Sequence, residues 1–352
     1  MKFDLSEDQA LLRQSTRDFL SSQWPPERAR RVMEQEPRGY TQADWQRLAE
    51  MGYLGLILPA NVGGQGLGAI ELAIVLEEVG RACMPGPYID AVLAAAVLAA
   101  AGGHDALLRD IGAGKKLVTL AFEDSPFRGT RVTPTRCEGA RVRGRKYFIP
   151  FAAQADALLV ATPDTLWLVA KPFDVVEMPT IDPAQRFGEV TFDHAATAVG
   201  PASLLERIDR LAAVSASAML LGIMSRAMEM TLEYVQTRQA FKRPIGSFQA
   251  LQHRLADMLL KTESTRSAVY RAAWCYDTND ADAALACAAA KAYAGDAARL
   301  VCGESIQMHG GIGFTWELDL HFYFKRAKTL EQFYGSTEVQ LERALAAAGF
   351  QP

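Results

Sequence analysis

Residues 307–317, QMHGGIGFTWE, place three glycines directly after a histidine. Glycine lets a backbone turn tightly and approach a bulky neighbour closely. An oxyanion-hole loop for acyl transfer would need a GxSxG nucleophile elbow, and the sequence has none. A phosphate-binding loop would need GxxxxGK[ST] or a strand in front of the glycines, and neither is present. Two readings of the loop remain: a packing turn between helices, or a bare backbone against a cofactor.

A second group of residues lies upstream, in RQAFKRPIGSFQ. Arg238 and Phe241 stand three apart ahead of Pro244, which ends a long helical pattern, and Ser247 is placed to cap the next helix, with Gln249 in its first turn. An arginine pairs with a diphosphate in fork geometry. A phenylalanine ring stacks on a base, and a glutamine amide bonds one. Taken singly, each residue has an ordinary explanation on a surface turn or in a core.

Other chemistries are excluded more simply. The five cysteines contain no CxxC pair and the five histidines no HExxH, so no metal site is expected. A net charge of −4 gives no electrostatic case for nucleic acid or an anionic membrane. The acidic N-terminus, MKFDLSEDQ, lacks the order of a signal peptide, and the apolar runs fall short of a membrane span. A cytoplasmic location is the expectation.

The elements that must hold these residues follow from pattern. Residues 1–114 read as helical, with a capping box at Ser6 and Gln9 and a second cap at Thr41 and Asp44. Residues 115–200 alternate short β-rich runs with Pro, Gly, Asp and Thr breaks, which predicts a compact barrel or sandwich. Residues 201–352 are helical again. The first helix there, 203–238, would span roughly 54 Å and tolerate Gly222. Helices at 247–276, 281–308 and 328–348 complete a four-helix bundle. The fold class is therefore α+β. GGQGLGA at 63–69 mimics a dinucleotide fingerprint, but without the βαβ setting that fingerprint requires.

Taken together, RQAFKRPIGSFQ and QMHGGIGFTWE closely resemble the acyl-CoA dehydrogenase family of flavoenzymes. LSEDQALLRQSTRDFL, GYLGLILPANVGGQGLGAIELAIVLEEVGRA and GRKYFIPFAAQADALLVAT extend the resemblance over almost the whole chain. It implies FAD as cofactor, an acyl-CoA substrate oxidised to a 2-enoyl-CoA, and an electron-transfer flavoprotein as acceptor. It also implies that Arg238, Phe241, Gln249, Gln307, Gly310 and Gly311 reach a FAD held mainly by a neighbouring subunit. Phe148 matches the aromatic residue beside the flavin ring, and Ser336 joins the cofactor set.

The resemblance breaks at three places. In FEDSPFRGT, Glu123 aligns with the family's T-E-P sequence, but Phe122 and Asp124 replace its threonine and proline. The family's W-I-T is Phe148-Ile149-Pro150, and proline offers neither a hydroxyl nor a backbone N–H. Tyr334 occupies the place of the usual catalytic glutamate. The catalytic base is thus unassigned, with Asp209 on the long helix as a substitute and Glu331 and Glu338 near Tyr334. Three alternatives stay open: a self-sufficient dehydrogenase working as a homodimer or tetramer, a non-catalytic partner subunit in a heterotetramer with a second dehydrogenase chain, and a flavin oxidase or monooxygenase on the same fold.

Overall fold

The computed structural model describes residues 4–127 and 134–350. Positions 128–130 of FEDSPFRGT and the first three residues of MKFDLSEDQ lie outside the described residues. Helices come first: α1 (Glu7–Gln23), α2 (Pro26–Gln35), α3 (Gln42–Glu50), α4 (Ala69–Arg81), α5 (Tyr88–Ala101) and α6 (Asp105–Gly112). Strands follow: β1 (Val118–Ala121), β2 (Arg136–Glu138), β3 (Arg141–Pro150), β4 (Ala157–Ala161), β5 (Thr165–Ala170), β6 (Val175–Met178), β7 (Phe187–Ala195) and β8 (Thr197–Pro201). The chain then returns to helix: α7 (Leu204–Thr237), α8 (Gln249–Asp277), α9 (Ala283–His309), α10 (Leu320–Gln332) and α11 (Thr337–Ala347).

Both sequence-read N-terminal caps are present. Ser6 Oγ accepts from Gln9 N–H while the Gln9 side chain accepts from Ser6 N–H, and Thr41 Oγ1 accepts from Asp44 N–H. The expected single helix at 328–348 is instead the pair α10 and α11. Tyr334 and Gly335 adopt left-handed φ values of +59° and +86°, which no helix continues, and Ser336 then caps α11. Gly335 followed by Ser336 is a stop-and-start signal that the apolar periodicity concealed.

The chain divides into two compact units. Met1–Arg30, Gly68–Met84 and Arg210–Pro352 form one; Arg31–Leu67 and Pro85–Asp209 form the other. In the second unit the strands make two four-stranded sheets, ordered β1-β4-β5-β8 and β2-β3-β7-β6. The β1–β4 pair is parallel and the others are antiparallel. Val142, Ile149, Val190 and Phe192 from one sheet share a core with Ala121, Leu158, Val160 and Val169 from the other. That is a sandwich, one of the two forms expected. The β3–β7 register slips between Lys146 and Ile149, and Phe148 takes a left-handed φ of +49° at this bulge.

In the first unit α4 and α7 meet backbone to backbone. A Cβ on Gly80 would lie 2.1 Å from the Met219 carbonyl oxygen, and one on Gly222 only 1.8 Å from that of Glu77. Gly222 is therefore a requirement of the crossing and not the tolerated residue expected from sequence. Two carboxylates of α4 are buried and paired. Glu77 accepts from Arg266 and from the Tyr270 hydroxyl at 2.8 Å, and Glu78 accepts from Arg17 Nε at 2.9 Å and Nη2 at 2.7 Å. α7 is long and apolar enough to cross a membrane, but 89% of its most apolar window is buried inside the protein. Its buried hydroxyls at Ser217, Ser225 and Thr231 each donate to the carbonyl four residues back.

Two of the fingerprint-like glycines, Gly64 and Gly68, are fixed by packing as well. Gly64 sits where a Cβ would come within 2.1 Å of the Leu58 carbonyl oxygen. The N–H groups of Ala69 and Ile70, which a phosphate would take in a dinucleotide site, donate to the Asp277 carboxylate at 2.7 and 3.1 Å.

Gly222→Ala should destabilise the protein by about 1–3 kcal/mol, the usual range for overpacking. Gly303→Ala, on α9 with its nearest atom 3.9 Å from the new methyl, should be neutral or slightly stabilising. Urea denaturation of both variants checks this; equal midpoints would remove the crossing argument.

Candidate functional site

The candidate site in the first unit begins where α7 ends. Arg238 N–H donates to the Tyr234 carbonyl at 2.8 Å, and the Arg238 carbonyl accepts from Ile245 N–H at 2.8 Å. Between them a tight hairpin pairs Ala240 with Arg243, with Phe241 and Lys242 both left-handed at φ +52° and +65°. The turn pushes Phe241 outward, leaving it 89% exposed, its ring edge-on to Phe248 at 6.1 Å. The Arg243 guanidinium lies 4.2 Å over the Phe248 ring. Arg238 and Gln249 are exposed too. Ser247 does not cap α8 as expected. It lies in a single 3₁₀ turn, so its hydroxyl donates back to the Pro244 carbonyl at 2.7 Å, and Phe248 takes the N-cap place.

The glycine loop leaves α9 at His309. His309 stacks on Tyr234 at 4.3 Å between ring centroids, and its Nδ1 lies 2.7 Å from the Ser305 carbonyl oxygen. A carbonyl only accepts, so Nδ1 carries the proton and donates. The stack ties the last turn of α7 to the end of α9, which brings the Arg238 turn and the 307–313 loop together. Gln307, Gly310 and Gly311 are exposed.

The three loop glycines are glycine for different reasons. A Cβ on Gly313 would meet the Ile306 carbonyl oxygen at 2.2 Å, so that position is fixed by packing. Gly310 has a left-handed φ of +61° with open space around it. Gly311 has neither a left-handed φ nor any atom within 4 Å of a would-be Cβ. Nothing among the described residues demands glycine at 311.

Tyr334 is half-buried in the α10–α11 turn, its carbonyl accepting from Gln340 Nε2 at 2.8 Å. Ser336 is fully buried, and its hydroxyl accepts from Val339 N–H at 3.4 Å. Glu331 is buried and bound to Lys328 Nζ at 2.6 Å, while Glu338 is exposed in the first turn of α11. Asp209 lies half-buried in the second turn of α7 and belongs to the other unit.

Phe148 also belongs to the second unit. Its N–H donates to Met178 Sδ at 3.3 Å, and its ring meets Phe187 edge-on at 6.3 Å. Pro150 closes β3 opposite Phe187. Asp124, where the resemblance expects a proline, accepts from Lys146 Nζ and Thr135 Oγ1 at 2.8 Å and from Thr135 N–H at 2.9 Å. Lys146 also donates to the Phe122 carbonyl at 3.0 Å. Burial pulls the Lys146 ammonium below its ordinary pKa, and the Asp124 carboxylate opposes that pull. These partners escaped the sequence reading because each lies on a different element. Lys146 falls in register with Val142, on the inward face of β3 opposite its three arginines, and that was the available signal.

Residues 208–349 match the family model described as acyl-CoA dehydrogenase, C-terminal domain, and 6–106 match the one described as acyl-CoA dehydrogenase, N-terminal domain. The chain is similar to the acyl-CoA dehydrogenase IpdE2 of Mycolicibacterium smegmatis, 32% identical over 96% of this chain and 98% of the relative. IpdE2 of Mycobacterium tuberculosis is 30% identical, with 96% of each chain covered. Among solved structures, the ChsE4–ChsE5 complex from Mycobacterium tuberculosis gives a TM-score of 0.89 at 27% identity with 100% of each chain covered. The Tcur3481–Tcur3483 steroid ACAD gives 0.88 at 28%, covering 97% of this chain and 98% of that one.

The buried His309 couples this region to pH. Burial lowers its pKa below the ordinary 6.5, the Ser305 carbonyl opposing. The unfolded chain therefore takes up a proton near pH 6.5 that the folded chain resists. The stability from neutral His309 is complete above that pH and is lost as pH falls through it toward the folded value. His309→Phe should flatten the decline in thermal midpoint between about pH 7 and about pH 5. Parallel profiles for the two proteins would rule the coupling out.

Proposed function

The chain belongs to the acyl-CoA dehydrogenase family, and on that premise we propose that it binds FAD and acts in the α,β-dehydrogenation of an acyl-CoA thioester to a 2-enoyl-CoA. The observation that carries this reading is Gly311, a glycine that the chain's own packing does not require. It stands in an exposed loop tied by the His309–Tyr234 stack to the exposed Arg238, Phe241 and Gln249. A group with a diphosphate and an aromatic base fits these residues. Arg238 pairs with phosphate oxygens, Phe241 offers a ring face, Gln249 and Gln307 offer amides, and Gly310 and Gly311 offer bare backbone. All are exposed, which suits a cofactor shared with a neighbouring chain. Phe148 serves the flavin ring, and Ser336 contributes by fixing the turn it caps.

When bound, FAD supplies the acceptor for the β-hydride, and an electron-transfer flavoprotein suits its reoxidation. The chain's own task is to hold the thioester and remove the α-proton. A base must accept a proton at working pH, and a tyrosine phenol titrates near about 10, so Tyr334 is a poor base at neutral pH. Asp209 is the carboxylate candidate if the chain works alone.

A second reading has its own support: this chain is the partner subunit of a second dehydrogenase chain that brings the glutamate. Tyr334 at the base position favours it, and two similar structures are named as two-chain assemblies, ChsE4–ChsE5 and Tcur3481–Tcur3483.

One preparation separates the readings. The chain is purified alone, its visible spectrum recorded, and a panel of acyl-CoAs added without oxygen. Flavin bleaching is expected with the chain alone in the first reading, and only after a second chain is added in the other. Arg238→Ala should remain folded yet lose about 2–5 kcal/mol of flavin binding, the range for a desolvated charge pair. Gly311→Val should lower flavin content while leaving the melting of the flavin-free protein unchanged. Full flavin content in both variants would sink the proposal.

A further inference from the structure

The turn between α10 and α11 is held from several sides at once. Lys291 of α9 is 0% exposed, and its Nζ donates to the carbonyls of Glu331 at 3.2 Å and Gly335 at 3.0 Å. Gln340, also buried, donates to the Tyr334 carbonyl, and a Cβ on Gly335 would lie 2.5 Å from that amide. One helical turn after Lys291, Gly295 lets α9 approach so closely that a Cβ would meet Thr337 Oγ1 at 2.8 Å and Glu331 Cγ at 3.3 Å.

Within this bracket Tyr334 holds a left-handed φ of +59°, a strained state for a bulky residue that persists only where its surroundings over-determine it. A lysine is an expensive way to fill buried space. The nearby Glu331 carboxylate is turned toward Lys328, so the Lys291 hydrogen bonds go to turn carbonyls. Burial lowers the Lys291 pKa to about 8, with Glu331 opposing. An apolar residue of similar length would avoid that penalty, and it would also leave both carbonyls without their donor.

We infer that Lys291, helped by Gln340, is a positioning residue that presets the side chain at 334 before substrate arrives. The connection to the reacting carbons of an acyl-CoA rests on the function proposed above; the presetting itself does not.

The test uses full-length protein labelled with 3-fluorotyrosine, in which Tyr334→Phe identifies the 334 resonance by its disappearance. Wild type should give one narrow signal at 334. Lys291→Met, which keeps the apolar stem and drops the donors, should split that signal or broaden it at least about twofold, and Lys291→Arg should restore part of the sharpness. An unchanged 334 signal in folded Lys291→Met overturns the inference. If Lys291→Met does not fold, Gln340→Leu is read by the same criterion. Butyryl-CoA and octanoyl-CoA are then added to wild type. A shifted 334 signal supports the acyl-CoA reading. An unmoved one, with the Lys291 effect intact, overturns that reading and leaves the presetting supported.

Discussion

The close crossing of α4 and α7 is the constraint on which most of the first unit depends. Two glycines, Gly80 and Gly222, remove the side chains that would keep the backbones apart. The contact that results is made by peptide groups and is stiff, because neither helix has a rotamer with which to relax. Beside the contact, α4 presents Glu77 to α8 and Glu78 to α1, so one short helix reaches three neighbours. Removing either carboxylate's partner would leave a buried charge uncompensated, which is far more costly than never having placed it there. Asp277 holds the N-terminus of the same helix.

With α7 fixed in this way, its far end becomes a defined place. Tyr234 carries the position of α7 across to His309, and so to the glycine loop. The exposed hairpin at 239–244 and the loop at 310–314 are therefore presented by rigid helices and not by each other. The 310–313 loop shows how one composition serves unrelated needs. Gly313 exists because the Ile306 carbonyl leaves no room and Gly310 because its backbone is left-handed, whereas at Gly311 no described atom excludes a side chain.

Buried or half-buried cations recur where the backbone is irregular. Lys146 braces the segment beside the β3 bulge, Lys291 braces the α10–α11 turn, and the Arg186 guanidinium donates to the carbonyls of Glu36, Pro183 and Gln185. Carbonyls in broken helices and bulged strands lack ladder partners, and a long flexible donor can reach several of them. Asp124 fits this pattern. At the place where the resemblance expects a proline, this chain ties the segment with an ion pair between the buried Lys146 and the half-buried Asp124.

Local signals in the sequence determined the order of elements, the caps at Ser6 and Thr41, the extent of α7 to within a residue at each end, and the resemblance carried by RQAFKRPIGSFQ and QMHGGIGFTWE. Those features depend on residues near one another in the chain, where periodicity and capping chemistry act directly. The break at Tyr334–Gly335 was written locally too, but the apolar pattern on either side masked it. What only the tertiary structure decided is which distant group answers each orphan: Asp277 for the α4 amides, Lys291 for the turn carbonyls, Arg266 and Tyr270 for the buried Glu77, and Met219 and Glu77 as the backbones that forbid side chains at 80 and 222. A glycine looks the same in sequence whether it sits in a turn, a crossing or an open loop. Its meaning depends on the atoms that arrive from elsewhere in the chain, and those are placed only when the helices pack.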